Sequence, residues 1–366
     1  MEFNEGCRMI RVFLYNLATD KYKGNIAGIL KCLLFILSLI YGFFVIILSA
    51  IYRIKPYRLN CRVISVGNIT LGGTGKTVLV ELIAGYLKEC GHKVAILSRG
   101  YKRVTESPSR KVTRYEIMGD EPYMLSKKLE DIPVIVDADR IRAAKRAIKE
   151  YGADSVILDD GFQQWKIKKD LEVVAIDAGN PFGNRSLIPR GILRESFSSL
   201  KRADVFVLTK VNFKTDPGPI KDVLAKINPS AVIVESFHDP LGFYNLGGEA
   251  KLSGRDSLKG ENATLFCGIA DPASFEDLIK GLGINVGLFY KFPDHHNYTR
   301  EDLNKIIHAS KDKNIAIIIT TEKDAVRLEN FPFQAFDCKF LALRIEAKIA
   351  KGGEIFYDRL LKLYSV

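Results

Sequence analysis

The sequence predicts an α/β fold: a parallel sheet flanked by helices, with one long apolar helix before it and a smaller α/β domain after it. Three observations predict this arrangement. A glycine-rich loop lies between an apolar run and a helical stretch. Downstream, short β-rich runs alternate with helical stretches, the pattern of strand–helix–strand units. Upstream, the 21 residues from Cys32 to Tyr52 carry no charge.

The run Val63-Ile64-Ser65-Val66 leads into Ile69-Thr70-Leu71-Gly72-Gly73-Thr74-Gly75-Lys76-Thr77. Glycines let backbone N–H groups converge on phosphate oxygens, a lysine at this position reaches the β and γ phosphates, and the threonine after it ligates Mg²⁺. The segment is therefore a nucleotide phosphate-binding loop and the fold is P-loop NTPase-like. Thr70, Gly72, Gly73, Thr74, Gly75, Lys76 and Thr77 are expected to hold the nucleotide, with Thr77 also on the metal. In the pattern G-x-x-x-x-G-K-[ST] the first glycine falls at position 70, where this chain has Thr70, so the loop is a variant.

Strands are expected at 62–66, 93–97, 133–136, 155–158, 172–176, 204–208 and 231–235, several of them continuous apolar runs suited to a sheet buried on both faces. Helices are expected at 76–90, closed by Gly91, and at 139–151, closed by Gly152. Between 239 and 262 glycine, serine and charge dominate, which suggests a boundary. The expected organisation is an anchor segment at 1–60, a core at 61–245 and a C-terminal α/β domain at 246–366. That last domain has strands at 263–268, 315–319 and 340–343 and a helix from Pro272.

At about 1.5 Å per residue, the uncharged stretch spans roughly 32 Å, against a hydrocarbon core of about 30 Å. Fourteen of its residues are Leu, Ile, Phe or Val, together favouring insertion by roughly 4 to 8 kcal/mol. Basic residues flank both ends, with Arg8, Arg11, Lys21, Lys23 and Lys31 before and Arg53, Lys55, Arg58 and Arg62 after. Charge counting therefore leaves the orientation undecided, and the need for ATP places everything from Arg53 onward in the cytoplasm.

The chain has 366 residues, 47% hydrophobic and 27% charged, with a net charge of +11, which excludes a disordered or fibrous protein. Next to a membrane helix, the excess of Lys and Arg suits anionic headgroups at the inner leaflet. Basic clusters do not interleave with aromatics as in nucleic-acid modules, so no nucleic-acid partner is expected, nor an obligate protein partner. The six cysteines form no C-x-x-C pair and read as reduced thiols.

Ser155-Val156-Ile157-Leu158 ends in Asp159-Asp160-Gly161, an apolar strand delivering two carboxylates to the sheet edge where such sites gather. Asp159 is assigned to Mg²⁺ and Asp160 to catalysis. Gly119-Asp120-Glu121-Pro122 by itself reads as a helix N-terminus. Phe292-Pro293-Asp294-His295-His296 reads equally as surface residues before a helix capped by Thr299 with Asp302, or as a site in which imidazole accepts a proton.

These segments, together with Ser98-Arg99-Gly100-Tyr101, Asp159-Asp160-Gly161-Phe162-Gln163 and Thr321-Glu322-Lys323-Asp324, stand in an order that resembles the tetraacyldisaccharide 4'-kinases. The likeness runs from the apolar helix, with its Leu39-Ile40-Tyr41-Gly42, to Arg327. It implies an inner-membrane enzyme that phosphorylates the 4'-hydroxyl of a lipid A precursor, a tetraacyldisaccharide 1-phosphate, using ATP and Mg²⁺ at the cytoplasmic face. It also implies that Asp120 and His295 form a catalytic pair; in our own reading of that pair Asp120 takes the hydroxyl proton and His295 orients it. Arg99, which could instead be structural, and Gln164 become candidates for the substrate, with Arg190 and Arg194 weaker candidates for substrate phosphate or for bracing the loop. The family usually has Asp-Asp-Gly-Phe-Gln-His and Gly-Lys-Thr-Pro, whereas this chain has Gln164 and Val78 at the last positions.

A membrane-associated GTPase switch or metallochaperone would share the loop and the strand-end aspartate. Its guanine reader, Asn-Lys-x-Asp, is matched here only by Thr209-Lys210-Val211-Asn212, which lacks the carboxylate.

Overall fold

A computed structural model describes residue 13 and residues 15–100, 117–211, 216–248 and 251–365. Arg8, Arg11, Cys7, Tyr101 and Asn212, all used in the sequence reading, lie outside the described residues. The other five cysteines are free thiols.

The strands in chain order are β1 (Arg62–Gly67), β2 (Val94–Ser98), β3 (Val134–Val136), β4 (Ser155–Asp159), β5 (Leu171–Asp177), β6 (Val205–Thr209), β7 (Val232–Asn245), β8 (Ser253–Gly254), β9 (Asn262–Cys267), β10 (Asn285–Lys291), β11 (Ile317–Thr321) and β12 (Lys339–Lys351). The chief helices are α1 (Asn25–Ile54), α2 (Lys76–Glu89), α3 (Asp120–Lys128), α4 (Arg140–Tyr151), α5 (Gly218–Ile227), α6 (Pro272–Gly281), α7 (Arg300–Asp312), α8 (Glu322–Ala325) and α9 (Gly353–Leu361).

The chain divides into two compact units, each gathered from separated segments. The first takes 1–76, 154–237 and 349–366. Its strands are parallel: β4 pairs with β1, β1 with β5, β5 with β6, and β6 with the first residues of β7. β4 and β6 are buried at every residue, as strands covered on both faces must be. Phe162, Val174, Ile176, Phe206, Leu208 and Leu224 fill one side.

The second unit takes 77–153 and 238–348. In it β10, β9, β11 and β12 run parallel in that order, and β2 pairs with β3. Helix termini follow local chemistry. Asp139 caps α4 by accepting from the N–H groups of Ile141 and Arg142, and Gly152 closes that helix at φ 62°, as the sequence predicts. Thr299 and Asp302 form a reciprocal capping box at α7.

Several elements exceed their expected length. β7 continues to Asn245, through the start of the glycine- and serine-rich stretch that suggested a boundary, and β10 and α9 were not expected at all. A tertiary partner is what turns such polar-rich chain into strand. Phe243 of β7 is completely buried in the second unit's core, and β8 adds antiparallel to β7 at Gly242 and Phe243.

Helix α1 is longer than its uncharged centre and is the one described helix long and apolar enough to cross a bilayer by length and composition. Only Leu34, Ser38 and Gly42 are buried, four residues apart and therefore on one stripe. Ile29, Leu33, Phe43, Phe44, Ile47 and Ile51 are among the many exposed apolar side chains on the rest of it.

Candidate active site

In the first unit β1 lies between β4 and β5, and the phosphate loop leaves its C-terminal end. The register sets Val66 level with Asp159, so the paired carboxylates emerge from the neighbouring strand at the same edge. Glycine makes this approach possible. A Cβ on Gly67 would fall 2.5 Å from the backbone nitrogen of Phe162, and one on Gly161 would fall 2.6 Å from Ser65 Oγ.

The loop has the shape of a cradle. Gly72 stands at φ +109° and Gly75 at φ +78°, and nothing lies within 4 Å of the place a Gly72 Cβ would occupy. Thr74 is buried, and its Oγ1 has no hydrogen-bond partner among the described residues. A buried hydroxyl of this kind costs free energy until a ligand reaches it. Thr70, in place of the first glycine, is buried and bridges Leu193.

Lys76 Nζ lies 3.4 Å from Asp160 Oδ1, and Arg194 Nη1 donates to both Asp160 oxygens at 3.0 and 2.8 Å. Burial pushes the Asp160 carboxyl up, but the Lys76 and Arg194 charges more than reverse it and hold it below the usual carboxylate range. Asp160 sits at φ +53°, a left-handed conformation that costs a non-glycine residue on the order of 1 kcal/mol and is typical of functional positions. Asp159 is buried beside it.

Lys76 and Asp160 thus meet, and Arg194 is the third member. Arg190 is engaged elsewhere: its guanidinium donates to Asp20 and to the Ala18 carbonyl. The neighbour of Gln164, Gln163, sends its side chain into the cluster, donating to the Asn68 carbonyl at 3.1 Å and to Glu195 at 3.0 Å. Arg99 is exposed at the end of β2. Thr209, weighed as part of a guanine reader, supports the loop by donating to the Thr74 carbonyl at 2.8 Å, and Lys210 pairs with Asp177 at 2.6 Å.

The second unit holds the other cluster. Asp120 opens α3, and His295 lies in the turn after β10 at φ +59°. His295 Nδ1 donates to Asp120 Oδ2 at 2.9 Å, a tautomer assigned from the carboxylate it faces. Arg327 donates to the same oxygen from Nε at 2.8 Å, and its Nη2 lies in ion-pair contact with that oxygen at 2.6 Å. Oδ1 of Asp120 makes no hydrogen bond among the described residues. Burial pushes the Asp120 carboxyl up, and the His295 hydrogen bond and the Arg327 charge bring it down to about 2.

Arg327 is itself locked. Nη1 donates to Asp324 Oδ1 at 2.9 Å and to the Gly268 carbonyl at 3.2 Å. Asp324 is fully buried and also accepts from the Gly268 N–H, Tyr298 and Thr321. On the far side of the ring, Lys323 Nζ lies 3.4 Å from His295 Nε2 and 3.0 Å from Glu121. Sequence reasoning assigned no role to Arg327 or Asp324. The signal was the spacing of Asp324 and Arg327, three apart and able to face each other on a helical turn.

The two histidines separate. His296 stacks on Phe292 at 4.6 Å, meets Tyr298 edge-on and bonds to Asp302, so its place is structural. His296→Ala is expected to lower unfolding stability by about 1–2 kcal/mol while leaving the turnover within threefold, as read by chemical denaturation and initial rates.

A parallel sheet whose first strand feeds a glycine cradle, with a lysine and strand-end aspartates at its mouth, defines a P-loop nucleotide-binding protein. The chain belongs to the tetraacyldisaccharide-1-P 4'-kinase family, a family of lipid kinases, which it matches over residues 30–364. The tetraacyldisaccharide 4'-kinase of Elusimicrobium minutum is 38% identical over 357 residues, covering 93% of this chain and 94% of that protein. That of Halothermothrix orenii is 38% identical over 330 residues, covering 84% and 86%. Among solved structures, LpxK from Aquifex aeolicus in complex with ATP superposes with a TM-score of 0.68 at 28% identity, covering 90% of this chain and 99% of that one.

Proposed function

We propose that this chain transfers the γ-phosphoryl group of ATP to the 4'-hydroxyl of a tetraacyldisaccharide 1-phosphate, a lipid A precursor, at the cytoplasmic face of the inner membrane. The observation that carries this reading is the Asp120–His295 pair, a proton acceptor for a substrate hydroxyl that a nucleotide switch does not need. Family membership and the open cradle at Gly72 support it.

The residues fit the groups required. No cluster of three His, Cys, Asp or Glu among the described residues forms a metal cage. A cation here would be held by the Thr77 hydroxyl, Asp159 and phosphate oxygens, the usual manner of Mg²⁺. Bound there, Mg²⁺ supplies charge neutralisation on the β and γ phosphates. Lys76 holds the phosphate chain, and Arg194 keeps Asp160 in place beside it.

Asp120 presents Oδ1 to the sugar hydroxyl while Oδ2 stays tied to His295 and Arg327, so the carboxylate cannot rotate away. A base this weak suffices, because phosphoryl transfer through a loose transition state depends mainly on positioning and charge. With its pKa near 2, Asp120 is ionised throughout pH 5–9 and contributes no acid limb to a rate profile there.

The exposed apolar residues of α1 match a bilayer environment and keep the enzyme on the surface that carries its substrate. The test is transfer of ³²P from γ-labelled ATP to the tetraacyldisaccharide 1-phosphate in detergent micelles, with wild type and Asp120→Asn compared. Labelled lipid with the wild type and a fall of about 10²–10⁴-fold in the variant is the expected result. ATP or GTP hydrolysis without labelled lipid would overturn the reading.

A further inference from the structure

We infer that α1 is a positioning element of the phosphate site as well as an anchor, with Tyr41 setting the place of Arg194 and, through it, of Asp160 and Lys76. This inference rests on the kinase reading for its rate measurement. The observations that carry it all lie within the first unit.

The segment from Asn184 to Arg194 forms an added layer on the phosphate loop. Leu193 bridges both Thr70 and Leu187, the Leu71 N–H donates to the Ile192 carbonyl at 2.7 Å, and the Arg194 N–H donates to the Ile69 carbonyl at 2.6 Å. On its other side that segment is held by α1. Tyr41 OH donates to the Arg194 carbonyl at 3.0 Å, across 153 residues of sequence. The next residue, Gly42, comes so close to Leu187 that an added Cβ would lie 2.6 Å from its Cδ1.

The backbone of Arg194 is therefore gripped on both sides, its N–H by the phosphate loop and its C=O by the helix. Its guanidinium is what holds Asp160, at 2.8 Å, beside Lys76. The ends of the helix are fastened to the same unit. Lys31 pairs with Asp20 at 2.7 Å, Asp20 with Arg190 at 3.0 Å, and Lys166 lies 4.6 Å over the ring of Tyr52. A small displacement of the docked stripe has a short path to the charges at the phosphate site: Tyr41, Arg194, Asp160, Lys76. A chain of contacts becomes coupling only when both ends are measured, which the following experiment does.

Tyr41→Phe keeps volume and apolarity and removes only the donor. In detergent micelles or liposomes it is expected to lower kcat about three- to tenfold, the worth of one net hydrogen bond, with KM for the lipid and the membrane-bound fraction unchanged. Gly42→Ala is expected to lower kcat as well, and Gly42→Ala/Leu187→Ala to recover most of it, because the second change removes the carbon that the new Cβ meets. Recovery in the double variant places the effect at the Gly42–Leu187 contact.

An unchanged kcat in both single variants would overturn the inference, as would a loss of activity that follows the membrane-bound fraction. Affinity for a fluorescent ATP analogue separates this outcome from failure of the kinase reading. A chain that labels no lipid but loses nucleotide affinity on Tyr41→Phe keeps the coupling and loses the kinase.

Discussion

Lys76→Ala is expected to lower lipid phosphorylation by about 10²–10³-fold at saturating substrates, a loss of roughly 3–4 kcal/mol of transition-state stabilisation. Lys76 begins α2 directly after the glycine cradle, and its ammonium faces Asp160 at 3.4 Å. Removing it takes a fixed cation from the place where charge develops, and the helix N-terminus that remains supplies only part of that charge. Asp160 is affected too, because the Lys76 charge is the largest of the effects that hold its carboxyl down. Lys76→Arg is expected to recover little, since a planar fork does not replace a compact ammonium in a tight backbone loop. Initial rates with γ-labelled ATP check both, and a Lys76→Ala rate within threefold of wild type would remove the loop from the mechanism.

The second large effect is on stability. Arg327→Leu is expected to cost about 3–5 kcal/mol, because deleting one partner of a buried ion pair strands the other. The guanidinium has 1% side-chain exposure and serves two carboxylates, Asp120 at 16% and Asp324 at 0%. Burial would then weigh on Asp324 with no cation against it. Asp120 would lose the Arg327 hydrogen bond and ion pair on Oδ2, keeping only His295, so the fall in kcat should accompany the fall in stability.

The sign of the pH effect follows from the same contacts. The carboxyl of Asp120 is lowered from 3.8 to about 2 on folding, so its contribution to stability is fully present above about pH 4 and is lost as pH falls through 2. In Arg327→Leu that acid-side loss should shrink, since much of the depression is gone. Denaturant titrations at pH 7 and pH 3 measure both. If Arg327→Leu were as stable as wild type, the triad would be an incidental contact.

Much of the phosphate site was legible because its chemistry is local. A run of glycines before Lys76-Thr77 and an apolar strand ending in Asp159-Asp160 are patterns of adjacent residues, and each carries its own backbone geometry. Strand β4, helix α4 with its closing Gly152, and the Thr299–Asp302 box were readable for the same reason. The layer that braces these residues was not readable. Gln163, beside Gln164, joins the cluster, Arg194 of the two equally ranked arginines reaches Asp160, and Arg327 holds Asp120 from 207 positions away. No periodicity in a sequence encodes which of two neighbouring side chains points inward in an irregular segment.

The same division applies to the helix that precedes the core. Its length and apolarity follow from the order of residues alone, since insertion depends on the summed transfer free energy of consecutive side chains. Which stripe docks, Leu34, Ser38 and Gly42, was decided only when Leu187 and the Arg194 carbonyl came within reach. By itself the sequence determined the elements and the chemical types at the site, because propensities and loop motifs act over a few residues. The tertiary structure decided which charges pair and which arginines brace the carboxylates, because ion pairing and burial act through space between segments far apart in the chain.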